Sequence, residues 1–428
     1  MIPSRLSTTL LLCSLFIATP VTLANEGAIA FTGARIIDGT GRAPLENGVV
    51  VITDGRITAV GERSAVTVPA GAELIDVSGK TLIPGLINSH GHVGDVMGLE
   101  GGHYNLDNLQ RQLRLYARYG ITTVNSLGGD AQEGFQLRDS QNNPSLQRSR
   151  LYVAGPVITD DNPAAARGSV DEIADMGADF IKIRIDDNLG RSQKMQPEVY
   201  LAILDQTHRR GLPLAVHLYY LEDAKAVLEA GADFIAHSIR DQEVDDELID
   251  LLIENNVCYS PTLTREVSTF VYEEEPDFFS DPFFRSEVDP QVINELLRPE
   301  RQQRVRNNDS AQQYKAALVT AMNNLDRLAE NGAPIAMGTD SGPAARFQGY
   351  FEHLEMQMMV DAGMSPMQTI QSATGTAADC LGLDDVGTLE PGKWGDLVVL
   401  TGNPLDNIEN TKTIESVWIA GNRIPANQ

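Results

Sequence analysis

The order of apolar segments constrains the fold of this 428-residue chain more than any other feature. Short aliphatic and β-branched segments alternate with helical patterns, as at 106–119, 197–210 and 314–331. The eight segments are 86–90, 122–126, 150–154, 180–183, 213–217, 234–237, 258–261 and 334–338. This alternation predicts an α/β fold, a closed (β/α)8 TIM-like barrel. An open doubly wound sheet is the alternative. That fold would favour a glycine-rich turn after its first strand, but here a single glycine, Gly91, lies between two histidines.

Both flanks of this region contain short β-branched segments that are separated by turns. The predicted strands are 28–37, 48–53, 56–61, 73–76, 396–400 and 416–420. Asp54-Gly55 predicts a hairpin, and Gly421-Asn422 predicts a turn. We therefore predict a barrel over 83–384 and a second, β-rich unit built from 25–82 plus 385–428.

The first 24 residues have the features of a signal peptide. Arg5 supplies the positive charge, 6–17 is largely apolar, and Thr22-Leu23-Ala24 offers small residues at the cleavage positions. An N-terminal membrane anchor is the alternative. No later run of about 20 apolar residues follows, so we predict an exported protein, periplasmic or secreted, without a membrane span.

Charge and cysteine content exclude several classes of function. The net charge of −26 disfavours binding to nucleic acids and to anionic membranes. Cys13 lies in the signal segment, which leaves Cys258 and Cys380 in the mature chain. Two cysteines so far apart predict neither a disulfide framework nor a thiolate zinc site.

Six residues with metal-binding or catalytic chemistry fall at or near the carboxyl ends of predicted barrel strands, where barrel enzymes build their sites. His90 and His92 are two residues apart, so in a strand their rings project together. The others are Lys182, His217, His237 and Asp340. Singly, each has an ordinary alternative: a core histidine, an ion-paired lysine, a helix cap. Together they predict a metal site, and we expect His103, His208 and His353 to lie outside it.

The segment 83–92, IPGLINSHGH, resembles the PGxxDxHxH signature of the amidohydrolase superfamily, with Asn88 where many members have Asp. Lys182, His217, His237 and Asp340 match the later ligands of that family in order, and 392–398 resembles part of its composite β-sandwich domain. The sequence around Lys182 and His237 is most similar to that of the imidazolonepropionase-like and Xaa-Pro dipeptidase-like branch of the superfamily.

The resemblance implies a centre of two divalent metal ions, with zinc favoured and manganese, cobalt or iron left open. His90, His92 and Asp340 would hold one ion, and His217 and His237 the other. Lys182, carboxylated by CO2, would bridge both. A hydroxide shared by the ions would attack an amide-type C–N bond, and Asp340 would orient it and pass its proton to the leaving nitrogen.

Four arginines closely follow barrel strands and suggest a small-molecule amide substrate that carries a carboxylate, such as a dipeptide or an N-acyl amino acid. They are Arg184, Arg240, Arg265 and Arg346. The alternative is local pairing with Asp186, Asp187, Asp241 and Glu266. Tyr219 is either a substrate donor or a core aromatic residue. A lactonase or ester-type hydrolase and a non-catalytic metal-binding barrel are the alternative functions.

Two further expectations depend on the fold. The sequence 177–181 echoes 231–235, and equal strand register would send Lys182 and His237 to opposite faces unless a bulge or offset intervenes. Residues 266–300 are long for a barrel loop and predict a lid or a homo-oligomer interface, with a solvated acidic loop as the alternative.

Overall fold

The computed structural model describes residues 27–426, so the predicted signal peptide lies outside the described residues. The strands in that range are β1 (Ile29–Ile36), β2 (Leu45–Thr53), β3 (Arg56–Glu62), β4 (Glu73–Asp76), β5 (Thr81–Pro84), β6 (Leu86–Gly91), β7 (Ile121–Ser126), β8 (Arg150–Val153), β9 (Ile181–Arg184), β10 (Leu214–His217), β11 (Phe234–Ile235), β12 (Cys258–Tyr259), β13 (Leu397–Leu400), β14 (Ile414–Ile419) and β15 (Asn422–Arg423).

The α-helices in the same range are α1 (Leu106–Arg118), α2 (Gln132–Asp139), α3 (Pro163–Asp175), α4 (Pro197–Arg209), α5 (Leu221–Ala230), α6 (Asp246–Glu254), α7 (Leu263–Phe270), α8 (Pro282–Arg285), α9 (Pro290–Leu296), α10 (Pro299–Arg306), α11 (Asp309–Glu330), α12 (Tyr350–Asp361), α13 (Pro366–Ser372) and α14 (Gly375–Cys380). Short 3₁₀ helices cover Val271–Glu273, Asp277–Ser280 and Ile408–Lys412. Within residues 27–426, no helix has the length and apolar character needed to cross a bilayer.

Strands β6 to β12 form the wall of the barrel. β6, β7 and β8 make one parallel sheet, and β9 to β12 make another. A parallel bridge between Ile158 and Ile183 joins the two sheets. The bridges Tyr259 to Ile335 and Gly91 to Ser341 place the extended segment 334–341 between β12 and β6. This segment occupies the eighth strand position and closes the barrel, as the sequence predicted.

Helices pack around the barrel through apolar stripes. In α1, Leu109, Leu113 and Tyr116 recur at intervals of four and three residues and are fully buried. Asn105 caps this helix by accepting a hydrogen bond from the Asn108 amide at 2.9 Å. The cap fixes where α1 begins, and therefore the length of the loop that leads out of β6.

A third sheet, outside the barrel, combines strands from both ends of the described chain in the order β15-β14-β13-β5-β1-β2-β3, with β4 paired to β1. β13 pairs antiparallel with β5, which brings residues near 400 against residues near 80. Phe31 and Trp418 pack edge to face in its core, with ring centroids 5.0 Å apart. The precise limits of a separate domain stay a prediction.

A buried ion pair joins this sheet to the barrel. Arg150, at the start of β8, places its Nε 2.7 Å from Asp396 Oδ2, and both side chains are enclosed. The Arg150 guanidinium also lies over the Trp394 ring, 4.4 Å from its centroid. Since removal of either partner would leave a buried charge uncompensated, this contact ties the two parts together.

The two mature-chain cysteines form a disulfide bond between the first residue of β12 and the last residue of α14. Cys258 and Cys380 are 122 residues apart in sequence. The distance between the two cysteines along the sequence therefore did not indicate whether they pair, because the closed barrel brings their thiols together.

Residues 266–300 are largely helical, and their aromatic residues pack onto the barrel. Phe279 and Phe284 are 2% and 1% exposed. Phe284 packs edge to face against Phe347, with centroids 4.8 Å apart, and Phe278 packs against Phe351 at 5.9 Å. The alternative of a solvated loop is therefore wrong for this aromatic part, while a lid or interface role stays a prediction.

Candidate metal centre

His90 and His92 stand where β6 ends, with ring centroids 5.7 Å apart. His90 is 1% exposed. His92 Nδ1 lies 2.9 Å from the Gly128 carbonyl oxygen. Because a carbonyl only accepts, Nδ1 of His92 donates this hydrogen bond, and Nε2 is the ring nitrogen that faces Asp340.

Asp340 follows the eighth strand position and faces both histidines. Its Oδ1 lies 2.9 Å from His92 Nε2 and 3.9 Å from His90 Nε2. One ligand atom from each of the three residues lies within 4.8 Å of the others. The Asp340 backbone has φ of 54°, in the left-handed region, and its amide donates to the His90 carbonyl at 2.7 Å.

Two glycines allow the chain to approach the histidines this closely. A Cβ on Gly338 would lie 2.9 Å from the His90 backbone nitrogen. A Cβ on Gly342 would lie 2.1 Å from the His92 carbonyl oxygen, and Gly342 has φ of 115°. Side chains at either position would therefore push the Asp340 segment away from β6.

A guanidinium group keeps the Asp340 carboxylate charged inside the protein. Burial alone would raise the pKa of Asp340, but Arg346 and the neighbouring histidines outweigh it and hold that pKa well below its usual range. Arg346 Nη1 donates to Asp340 Oδ2 at 2.5 Å. Oδ2 is thus occupied, and Oδ1 remains on the side of the histidines.

Lys182 of β9 points into the same cluster. Its Nζ lies 3.5 Å from His90 Nε2, and the residue is 3% exposed. Burial lowers the pKa of this amine from 10.5 to about 7, although the Asp340 charge partly opposes the shift. A substantial fraction of Lys182 is therefore an uncharged amine near neutral pH.

His217 ends β10, and a carboxylate fixes its ring. Its Nε2 lies 3.1 Å from Oδ2 of Asp186, which is fully enclosed. Arg184 Nε donates to the other Asp186 oxygen at 2.6 Å. The His217 ring lies 4.1 Å from that of His237, centroid to centroid, so its Nδ1 is the nitrogen left for the cluster.

His237 reaches the cluster because the chain bends after β11 ends at Ile235. Strand pairing places Lys182 level with Ala215, and Ala215 level with Phe234. His237 would therefore point outward if the strand continued, but the bend turns its ring to 4.6 Å from that of His90. The expected conflict of faces is resolved by the early strand end.

The donors of this cluster fit divalent metal ions. Burial lowers the pKa of His90 and His237 well below the usual range, and that of His217 to about 3, so these rings are neutral and can coordinate. His237 Nδ1 lies 2.8 Å from Thr262 Oγ1. Three of the four rings thus have their second nitrogen held by a protein group, which is typical of metal-binding histidines.

Of the other three histidines, His208 and His353 bond to groups outside the cluster, and the expectation for His103 stays a prediction. His208 is exposed and lies 3.0 Å from Asp233. His103 contributes its carbonyl to the loop before α1. His353 is buried and bonds to Thr411 and to the Tyr119 carbonyl.

The arginines predicted to bind substrate all have carboxylate partners within the chain. Arg184 pairs with Asp186, and Arg346 pairs with Asp340. Arg240 Nε and Arg265 Nη1 lie 3.0 and 3.1 Å from the enclosed Glu266. Arg240 is itself 1% exposed, so it does not line an open mouth.

Tyr219 packs in a small aromatic cluster beside these arginines. It is 8% exposed, and its ring centroid lies 6.1 Å from that of Tyr314. The Arg240 guanidinium lies 4.7 Å from the Tyr219 centroid. These contacts match the alternative of a core aromatic residue, and a substrate contact stays a prediction.

Three groups that orient the centre were not assigned that role from the sequence. They are the Gly128 carbonyl, Thr262 and Asp186. A carbonyl leaves no sequence signal, and Thr262 lies 25 residues from the histidine that it contacts. Asp186, four residues after Lys182, carried the only usable signal, and we had assigned it to arginine pairing alone.

Comparison with known proteins defines the class. The sequence model of the amidohydrolase family matches residues 81–424, so this chain belongs to the amidohydrolase family. The fold is the α/β barrel with a β-sandwich domain, and the protein is a metal-dependent hydrolase that acts on C–N bonds. Membership of this family makes the protein an enzyme. It excludes the alternative of a non-catalytic metal-binding barrel, which the sequence alone had left open.

Individual relatives share this architecture at modest identity. Imidazolonepropionase of Geobacillus kaustophilus is 25% identical over 426 residues, which cover 89% of each chain. A Bifidobacterium longum crystal structure, provisionally titled a prolidase, has a TM-score of 0.76 at 26% identity and covers 93% of this chain and 94% of its own. A Xaa-Pro dipeptidase with bound methionine in the active site has a TM-score of 0.74 at 22% identity, with 93% and 99% covered.

Proposed function

We propose that the six clustered residues hold two divalent metal ions, zinc favoured, and that the enzyme hydrolyses an amide bond in a small substrate that carries a carboxylate. His90, His92 and Asp340 would bind one ion, and His217 and His237 the other. The observation that carries this proposal is the convergence of the first three ligand atoms within 4.8 Å at the carboxyl end of the barrel, beside Lys182. When bound, such ions activate water and polarise a carbonyl group.

Lys182 is proposed to carry a carboxyl group derived from CO2. The uncharged amine attacks the carbon of CO2, an N–C bond forms, and one proton leaves the nitrogen. The product is a carbamate with one negative charge and two oxygen donors, whereas an ammonium group would repel cations. The lowered pKa of Lys182 supports this step because it supplies the reactive amine near neutral pH.

Asp340 is proposed to move the proton. Because Arg346 occupies its Oδ2, Oδ1 is the atom that accepts a proton from the attacking water and returns it to the leaving nitrogen. An amine leaves readily only when protonated, so the same carboxylate serves both halves of the reaction.

Arg184 is the best supported of the four arginines for a substrate carboxylate. It lies two residues after Lys182 on β9, so both side chains project from the same face of the strand. Its side chain is 39% exposed as a whole, and its Nη2 is a buried atom without a hydrogen-bond partner among the described residues. A dipeptide or N-acyl amino acid carboxylate would satisfy that donor.

A substrate panel tests this proposal. Metal-reconstituted enzyme is assayed with dipeptides, N-acyl amino acids, their carboxamide counterparts and lactones. Arg184→Met should reduce kcat/KM roughly ten- to a hundredfold for carboxylate substrates, the cost of a lost charge-assisted contact, and leave the carboxamides nearly unchanged. Equal losses on both would show that Arg184 is structural, and activity on lactones alone would favour the ester-type alternative.

Export of the mature protein remains part of the proposal. The Cys258–Cys380 bond supports it, because disulfide bonds persist mainly in oxidising compartments. N-terminal sequencing of the protein from a periplasmic or culture fraction should begin at residue 25, and an unprocessed chain confined to the cytoplasm would contradict export.

A further inference from the structure

A buried glutamate on α12 gathers three hydrogen bonds on a single oxygen. Glu352 is completely enclosed. Its Oε1 accepts from Asn88 Nδ2 at 2.6 Å, from Thr339 Oγ1 at 2.8 Å and from Ser341 Oγ at 2.6 Å. Its Oε2 has no partner among the described residues. The side chain therefore acts through Oε1, and three donors from two chain segments depend on it.

Each of those donors is one step from a residue of the candidate centre. Asn88 Oδ1 accepts a hydrogen bond from the His90 amide at 2.9 Å. Thr339 and Ser341 immediately precede and follow Asp340. The Ser341 carbonyl also accepts from the His92 amide at 2.8 Å.

The conformation of Asp340 makes such support necessary. A residue with a Cβ in the left-handed region is uncommon and persists when its surroundings fix it. The side chains on both sides of Asp340 donate to the same Glu352 oxygen. Tyr116 adds support from α1, since its hydroxyl lies 2.7 Å from Ser341 Oγ.

We propose that Glu352 is a positioning residue, whose Oε1 clamps β6 to the segment 334–341 and so fixes His90, His92 and Asp340 relative to one another. This inference rests on the metal centre proposed above. Loss of the clamp should leave the ligands present but misplaced.

Cobalt(II) tests the clamp without any substrate. Co²⁺ is titrated into the purified protein, and its visible absorption reports both affinity and ligand geometry. Glu352→Met removes the acceptor at similar size, so we expect an altered spectrum and a Kd raised about ten- to a hundredfold, as for other groups that orient metal ligands. Glu352→Gln keeps the acceptor oxygen and should retain the wild-type spectrum and a Kd close to it.

His353→Gln is the matched control, because His353 is buried next to Glu352 on the same helix, while its ring nitrogens bond, among the described residues, to Thr411 and the Tyr119 carbonyl. It should leave the Co²⁺ spectrum unchanged. If Glu352→Met does not fold, Ser341→Ala removes one donor and should still weaken binding. A folded Glu352→Met, or failing that a Ser341→Ala, with wild-type affinity and spectrum would overturn the clamp.

Two other results have a definite meaning. Equal losses in Glu352→Gln and Glu352→Met would overturn the clamp, because charge rather than the acceptor oxygen would then matter. Failure of the wild-type protein to bind Co²⁺ would instead refute the metal centre itself, so the two claims fail separately.

Discussion

Asp340 combines coordination with proton transfer in the proposed site, and its two oxygens have different neighbours. Asp340→Asn keeps the size and one oxygen donor, so metal content and folding should survive. It removes the base, so kcat should fall by roughly 10²- to 10⁴-fold. Lys182→Ala should lose metal together with activity, because it removes the bridging group.

Metal analysis, and turnover on the best amide of the substrate panel, test both of these variants. A metal-replete Asp340→Asn enzyme with near wild-type turnover would leave Asp340 a structural ligand.

Asp186 offers a separate test of the second metal position. Its carboxylate holds His217 Nε2 and thereby presents Nδ1 to the cluster. Asp186→Asn should weaken binding of the second ion by roughly 10- to 100-fold and leave the first largely unchanged. Asp187→Asn is the matched control, since Asp187 bonds to the Tyr220 hydroxyl instead. Stepwise zinc titrations measure both affinities, and identical curves for the two variants would exclude an orienting role for Asp186.

The chemistry of the side chains made the six ligand candidates predictable from the sequence. It did not reveal the residues that orient those ligands. Histidines, a lysine and an aspartate at strand ends are informative because few other residues bind metal. Asn88 shows the limit: in the sequence it is only a departure from the family signature, whereas in the structure its side-chain amide donates to Glu352. An aspartate at 88 would set two carboxylates against each other, and only the fold reveals that the partner lies 264 residues away.

At the scale of elements, α12 is tied to its surroundings by a neutral histidine. The Tyr119 carbonyl accepts from His353 Nε2 at 2.8 Å, and Nδ1 lies 3.0 Å from Thr411 Oγ1. Burial lowers the pKa of His353 from 6.5 to about 4. Between those values the unfolded chain binds a proton that the folded chain does not, so the free energy of unfolding rises with pH across this window and falls on acidification.

His353→Gln should remove that contribution. Denaturant unfolding of the metal-free proteins from pH 4 to 7 should give a shallower pH dependence for the variant. The difference in slope should reach at most about 1.4 kcal/mol per pH unit. Parallel curves for the two proteins would show that His353 does not titrate as its burial implies.

The periodicity of the sequence predicted the positions of most strands and helices. The predictions that failed did so for physical reasons. The segment predicted as a strand over 234–237 is strand only at Phe234–Ile235, because the chain bends to bring His237 inward. β5 was missed because Pro84 interrupts its pattern at a strand end. The conformation of residues 266–300 depends on aromatic packing against distant parts of the chain, which the local periodicity of the sequence does not encode.

At the scale of the whole molecule, the disulfide closes a long loop through the second half of the barrel. Replacing both Cys258 and Cys380 with serine should lower the free energy of unfolding by about 2–4 kcal/mol, mainly because the unfolded chain regains freedom. The bond does not include a proposed ligand, so metal content should not change. Denaturant midpoints and elemental analysis measure the two effects, and unchanged stability would mean that the bond does not form in solution.

The central claim is that this amidohydrolase works with a two-metal centre, and the metal content of the purified protein tests it most directly. Protein reconstituted with saturating zinc or manganese in bicarbonate buffer is desalted and measured by elemental analysis. The six ligand candidates on the barrel rim predict close to two divalent ions per chain. At most one ion per chain under saturating conditions would contradict the two-metal centre and with it the bridging role of Lys182.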